Sequence, residues 1–325
     1  MPLEPAPYYD SSAGIGFSGP PGGAAWWVET SDQVRVRVGL WPAQGEARGT
    51  VLLFPGRTEY IEKYGRTAAE LTRRGFAVLA IDWRGQGLAD RLLDDRRVGH
   101  VALFTDYQKD IAAMLRAARE LDIPRPFHLL GHSMGGAIGL RAVMEGLAVQ
   151  TCAFTGPMWG IYMPHILGPI GWATATIGPM LGLGTWLPPN TSLDYYVLNQ
   201  AFEGNILTHD AEMFAMMQDQ LKAQIDLGLG GPSLIWLREA LTECKSLASR
   251  TSPDMPCLTF LGAEEAIVDR VAVRARMQAW PRGEIDEVQG AHHEVLMEGP
   301  EIRARVFDRL EALFSGKPEA SAATG

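Results

Sequence analysis

Phe127-His128-Leu129-Leu130-Gly131-His132-Ser133-Met134-Gly135-Gly136-Ala137-Ile138-Gly139-Leu140 reads as a short apolar strand running straight into a helix, with a serine at the junction. A serine at such a turn sits in strained backbone. Small residues two places before and two places after it let the chain pass closely and leave Oγ exposed. The helix behind it turns first-turn N–H groups and the positive end of its dipole toward the point where negative charge develops during attack on a carbonyl. A glycine-rich packing turn with an idle serine is the plainer alternative. The strand before and the helix after favour Ser133 as a nucleophile.

Outward from this turn the chain alternates between strands and helices. Upstream, Trp26 to Glu29, Val34 to Trp41 and Thr50 to Phe54 are strand candidates separated by turn signals such as Gln44-Gly45. A helix fits Ile61 to Arg74, and the unbroken apolar run Phe76 to Ile81 suits a strand buried on both faces of a parallel sheet. The apolar spacing of Tyr107, Ile111, Met114, Leu115, Ala118 and Leu121 predicts a helix over Thr105 to Leu121. After strand Thr151 to Phe154 the rhythm stops, with helices near Ala211 to Lys222 and Ser233 to Leu247. It resumes with strand Cys257 to Leu261, helix Val271 to Trp280, strand Glu284 to Val288 and helix Glu301 to Phe314. The expected fold is α/β: an eight-stranded, mostly parallel sheet flanked by helices, with a mainly helical cap insertion. The core is expected over 26–154 and 250–316 and the cap over 155–249, with loose tails at 1–25 and 317–325.

Composition narrows the partners. The 325 residues are 46% hydrophobic and 21% charged, enough to close a large core. A formal charge of −9 makes nucleic acid an unsuitable partner and favours small molecules. The three cysteines, Cys152, Cys244 and Cys257, have no CxxC spacing, so neither a disulfide framework nor a zinc ribbon is expected, and a reducing cytoplasmic compartment is the default. No Asp, Glu, Lys or Arg lies between Glu145 and Asp194, as in a membrane span. However, Pro157, Pro164, Pro169, Pro179, Pro188 and Pro189 would break a helix of the roughly 20 residues that crossing requires.

A serine needs a base and an orienting acid. His293, in Gly290-Ala291-His292-His293-Glu294 just past the last strand, is the expected base, ahead of its neighbour His292. His100, His128, His165 and His209 are expected to be structural. The acid should follow strand Cys257 to Leu261: Glu265 is preferred, with Asp269 equally suited to capping the next helix and Glu264 third. For the oxyanion, the N–H of Met134 is one donor and that of Arg57, in Phe54-Pro55-Gly56-Arg57, the other, since Pro55 has none to give. No metal or organic cofactor is expected: HExxH is absent, and His292, His293 and Glu294 complete no ligand set.

From about Thr50 to Phe314 the chain resembles α/β-hydrolases of the monoacylglycerol lipase and bacterial lysophospholipase group, more closely the latter. The resemblance rests on Pro55-Gly56-Arg57-Thr58-Glu59, on Asp82-Trp83-Arg84-Gly85-Gln86-Gly87 leading to Arg91-Leu92-Leu93, on Gly99-His100-Val101, on GHSMGG from Gly131, and on Ala263-Glu264-Glu265 with Gly290-Ala291-His292-His293-Glu294. It implies Ser133 as nucleophile, Glu265 as acid, His293 as base and an apolar cap that admits an acyl chain. It departs at Pro55, where many lipases carry histidine, and at Ala89, where many relatives carry serine.

In the cap, Met158, Trp159, Trp172, Met180 and Trp186 are the candidate acyl-groove residues, though apolar cap residues also serve as plain core. Their neighbours Ile161, Met163 and Leu183 share that character, and cap Trp and Tyr suit peripheral contact with the inner face of a membrane. The leading expectation is a serine hydrolase releasing fatty acid from a lysophospholipid or monoacylglycerol. A small-ester esterase or serine peptidase on the same fold is the enzymatic alternative, and a non-catalytic binder of apolar ligands the rival of another class.

Overall fold

The computed structural model describes residues 3–163 and 168–316. Its centre is one nine-stranded sheet: β1 (Glu4–Ala6), β2 (Ala24–Glu29), β3 (Arg35–Trp41), β4 (Gly49–Phe54), β5 (Phe76–Asp82), β6 (Phe127–His132), β7 (Cys152–Thr155), β8 (Cys257–Gly262) and β9 (Gly283–Val288). The spatial order is β1-β2-β3-β5-β4-β6-β7-β8-β9. β1, β2 and β3 are antiparallel, as is the β3–β5 pair, and all pairs from β5 to β9 are parallel.

The interleaved helices are α1 (Gly65–Arg73), α2 (Tyr107–Glu120), α3 (Met134–Met144), α4 (Gly168–Met180), α5 (Tyr196–Asn199), α6 (Ala211–Ala223), α7 (Leu234–Ala248), α8 (Arg270–Gln278) and α9 (Pro300–Phe314). Alternation along each strand sorts the core into two layers. Leu52, Phe54, Leu79, Ile81 and Leu129 face Met114 of α2 and Ile138 of α3, while Val51, Leu53, Val78, Ala80 and Leu130 face α1 and α9 through Leu71 and Phe307. β5 is buried along its whole length, as its unbroken apolar sequence requires.

Two expectations about domain layout are corrected. The sheet has nine strands instead of eight, and the extra one, β1, comes from the segment expected to be a loose tail. That segment is tied down by long-range contacts: Trp41 Nε1 donates to Tyr8 Oη at 2.6 Å, Phe17 is buried, and Gly65 lies so close beneath the Ser18 carbonyl that a Cβ would overlap it. α7, expected within the cap, lies against the sheet's helical layer. Its Trp236, Ala240 and Leu247 join the main core, and Glu243 receives two hydrogen bonds from Arg141 of α3, at 2.6 and 2.5 Å. The expected tail at 317–325 and His165 lie outside the described residues.

β4 is the first parallel strand laid down, β5 goes to one side of it and β6 to the other. The loops leaving β4 and β6 therefore diverge, opening a crevice at the carboxyl edge of the sheet, where ligands bind in this class of sheet. The cap covers that edge. Among the described residues no helix is long and apolar enough to cross a membrane.

Candidate active site

Ser133 has φ 49° and ψ −117° at the junction of β6 and α3, a strained backbone for a non-glycine residue. The flanking glycines are steric necessities. A Cβ on Gly135 would overlap the Phe54 carbonyl oxygen, and one on Gly136 would lie 2.7 Å from Pro157. The turn is fixed by Ser133 N–H donating to Thr155 O at 3.0 Å and by Met158 N–H donating to Ser133 O at 2.9 Å. The contact at Gly135 presses the β4 loop, Phe54 to Arg57, against the serine turn. Met134 opens α3, so its N–H has no acceptor inside the helix. In the facing loop Pro55 has no N–H and that of Gly56 is taken by the carboxylate of Glu59, which leaves the N–H of Arg57 as the next donor.

His293 and Glu265 are buried together, with His293 Nδ1 2.7 Å from Glu265 Oε2. The other carboxylate oxygen accepts from Ile267 N–H at 2.7 Å and Val268 N–H at 3.1 Å. Burial alone would raise the Glu265 carboxyl; the imidazole of His293 and these two N–H donors more than offset it and hold it below its ordinary value. Of the three acids weighed from sequence, only Glu265 meets His293. Asp269 caps α8 by accepting from Val271 N–H at 2.8 Å, and Glu264 is solvent-exposed. His292 turns away and stacks on His209 at 3.8 Å. His100 and His128 are bound to Ser233 and Thr151 at 2.8 and 2.9 Å.

Gly156, which the sequence did not single out, walls this pair. Its φ is +47°, and a Cβ there would lie 2.9 Å from His293 Nδ1 and 3.1 Å from Glu265 Oε2. Gly156→Ala is expected to push the imidazole off line and lower kcat/KM by about a hundredfold, the scale of a 1 Å misplacement. Steady-state kinetics checks this; an unchanged kcat/KM would show that the wall is slack.

A second buried group, also not anticipated, lies behind the base. Lys63 Nζ bonds Glu294 Oε1 at 2.6 Å and also Glu59, and His132 Nε2 sits 3.3 Å from Glu294 and 3.5 Å from Glu59. Burial would lower the imidazole of His132, but Glu294 and Glu59 outweigh it and hold it above its ordinary value. Glu294 is in turn held well below its own. Trp83 Nε1 donates to Pro55 O at 2.9 Å and Gln86 Nε2 to Gly56 O at 2.7 Å, so the Asp82 to Gly87 motif acts as a brace for the β4 loop.

Among the described residues, two clusters each bring three metal-ligating side chains together. In the buried one, of Glu59, His132 and Glu294, the two carboxylates already hold the ammonium of Lys63 between them, so their charge is met. His209, Glu264 and His292 lie at the surface, with the two rings nearly parallel, at 10°, so their nitrogens do not converge on one point.

Ser133, Arg57 and His293 share one cavity of about 370 Å³. Its walls are mostly apolar, with Met158, Val197, Met217, Leu221, Leu229 and Trp236 among them. Of the groove residues expected from sequence, Met158 and its neighbour Ile161 are there. Trp159 is packed below, against Phe154 and Trp280, and donates Nε1 to Gly136 O at 3.1 Å. Trp172 is half-buried on α4, away from the cavity, and Met180 and Trp186 are 80% and 64% exposed. The reason is orientation: α4 turns apolar residues to solvent, while α5, α6 and the loop before α7 cover the serine.

The family described as serine aminopeptidase, S33, matches residues 45–300. Lysophospholipase L2 of Escherichia coli K12 is 32% identical over 303 residues, covering 87% of this chain and 85% of that protein. A monoglyceride lipase of Rattus norvegicus is 23% identical over 288 residues, covering 85% of each. Among solved structures, a soluble variant of the Saccharomyces cerevisiae monoglyceride lipase in complex with a substrate analog superposes with a TM-score of 0.68 at 20% identity. The match covers 96% of this chain and 99% of that one, a likeness of fold. A serine turn, a histidine backed by a glutamate, a doubly wound sheet and these matches agree: the chain belongs to the α/β-hydrolases of the lysophospholipase and monoacylglycerol lipase group, within the family described as serine aminopeptidase, S33.

Proposed function

We propose that the chain hydrolyses the ester of a single-chain glycerolipid, a lysophospholipid or a monoacylglycerol, through an acyl-enzyme on Ser133. The observation that carries this reading is the apolar cavity onto which Ser133 and His293 both open, with Glu265 bonded to the far side of the imidazole. With Nδ1 held by Glu265, Nε2 is the nitrogen free to take the serine proton as Oγ attacks the ester carbonyl. The tetrahedral oxyanion is held by the N–H groups of Arg57 and Met134. Collapse breaks the ester C–O bond, and His293 returns the proton to the departing glycerol oxygen. Water, deprotonated by the same nitrogen, then attacks the acyl-enzyme and frees the fatty acid and Ser133. Each methylene buried against the cavity wall contributes about 0.8 kcal/mol, which favours an acyl chain over a short ester.

A peptidase reading has the family's description in its favour. It would need an unpaired carboxylate to receive a substrate ammonium, yet Glu59 and Glu294, the acids lining the cavity, are both engaged by Lys63. The test is a panel of lysophospholipids, monoacylglycerols, p-nitrophenyl esters of rising chain length, and alanine and proline anilides, with mass-spectrometric mapping of a fluorophosphonate adduct. We expect turnover to rise with acyl length, anilides to be left intact and the adduct to sit on Ser133. Anilide cleavage without ester cleavage, or a protein inert to the probe, would overturn the proposal.

A further inference from the structure

We infer that the guanidinium of Arg57 is a subsite for the phosphodiester of the substrate head group, which makes a lysophospholipid, more than a monoacylglycerol, the fitting substrate. This rests on the ester-hydrolase reading above and deepens it.

Arg57 lines the cavity beside Ser133 and His293 and is partly buried, its Nε fully so. Its Nη2 donates to Gly230 O and its plane lies over Trp236, 5.1 Å from the ring centroid, while its Nε is buried without a hydrogen-bond partner among the described residues. No carboxylate among the described residues is close enough to pair with it. Lys63, the other cation of the wall, is held between Glu59 and Glu294. Burial drives the guanidinium pKa down to about 10, the mark of a charge that has lost water without gaining an anion. An uncompensated charge in an apolar wall is costly to keep and is best offset by an incoming anion. A guanidinium matches phosphate oxygens in geometry and charge.

The slot is also built for the side chain. Gly99 lies against it, and a Cβ there would come 2.7 Å from Nη2. Gly99 is tied to the cap, its N–H donating to Gly231 O at 2.9 Å and its carbonyl accepting from Ser233 N–H at 2.8 Å. The motif Gly99-His100, which the triad does not use, thus serves as the bed on which the guanidinium lies.

The experiment compares kcat/KM on lysophosphatidylethanolamine and on the monoacylglycerol of the same acyl chain, in wild type, Arg57→Gln, Arg57→Lys and Gly99→Ala. Gly99→Ala leaves the Arg57 backbone in place and displaces chiefly the guanidinium, with Leu229 Cδ2 at 3.3 Å the other atom crowded, so it serves where Arg57→Gln fails to fold. We expect wild type to favour the phospholipid, the ratio to fall about tenfold to a hundredfold in Arg57→Gln and Gly99→Ala, chiefly through KM, and Arg57→Lys to recover part of it. Equal losses on both substrates, or a wild type that favours the monoacylglycerol, would overturn the subsite while leaving the ester reading intact. Should wild type cleave neither ester, the ester reading fails. Calorimetry on Ser133→Ala with dodecylphosphocholine, laurate and dodecanol then judges the subsite: tighter binding of the phosphodiester than of the other two, lost on adding Arg57→Gln, supports it, and equal binding of all three refutes it.

Discussion

Ser133→Ala is expected to lower kcat on a long-chain ester by about a millionfold, the scale set by removing the serine of such a unit. On the proposed mechanism, deleting Oγ removes the bond-forming atom and leaves His293 with no proton to take. What survives should be the modest acceleration from oxyanion donors and substrate binding alone. The protein itself should stay folded. Alanine carries the same Cβ as serine at φ 49°, so backbone strain is unchanged, and the bonds that fix the turn run through the main chain of Thr155 and Met158. The measurements are single-turnover kinetics, loss of the fluorophosphonate adduct, and a melting temperature within a few degrees of wild type. A variant keeping more than about one part in a hundred of the activity would mean that another group is the nucleophile.

Glu265→Gln should cost about ten-thousandfold in kcat, because the surroundings force the wrong tautomer on the base. One carboxylate oxygen is committed to Ile267 N–H and Val268 N–H, so a glutamine must keep its carbonyl there and turn its NH₂ toward His293. His293 Nδ1 must then accept a hydrogen bond, the ring proton moves to Nε2, and that nitrogen, the proton acceptor in the proposed mechanism, can no longer take a proton. The substitution also has a pH signature in stability. The carboxyl of Glu265 is held below its ordinary value of 4.5 in the folded protein. Its stabilising contribution is therefore complete above that value and is lost as pH falls through the lowered one. The stability deficit of Glu265→Gln, measured by urea unfolding, should be largest near neutrality and shrink in acid. A deficit that grows as pH falls would contradict this.

How much of this was legible in the residues depended on how local each cause was. The serine turn could be read because the glycines, the apolar strand before it and the helix after it act within about a dozen positions. His293 followed from its place after the last strand, but Glu265 could only be ranked against Asp269, since both suit that loop and only the fold shows which one caps α8. β1 escaped notice because a three-residue strand in a proline- and glycine-rich segment has no periodicity of its own and is fixed by its pairing with Ala25, Trp26 and Trp27 of β2. The buried group of Glu59, Lys63, His132 and Glu294 left one local trace, the four-residue spacing of Glu59 and Lys63. Glu294, which closes the group, is 231 residues from Lys63. The cavity walls were misjudged at Trp159, Trp172, Met180 and Trp186 because an uncharged stretch carries no periodicity to say which side faces inward.

The contact of Gly135 with the carbonyls of Phe54 and Pro55 joins the serine turn and the β4 loop into a single block, seated on adjacent strands. Among the described residues the covering segments, α5, α6 and the loop before α7, reach that block through a side chain, the guanidinium of Arg57 donating to Gly230 O, and through no main-chain hydrogen bond. Breathing of the roof therefore alters which molecules gain entry and how long they stay, without disturbing how a bond is cut. Natural variation confined to the roof could retool the diet of such a catalyst while its cutting edge was inherited intact.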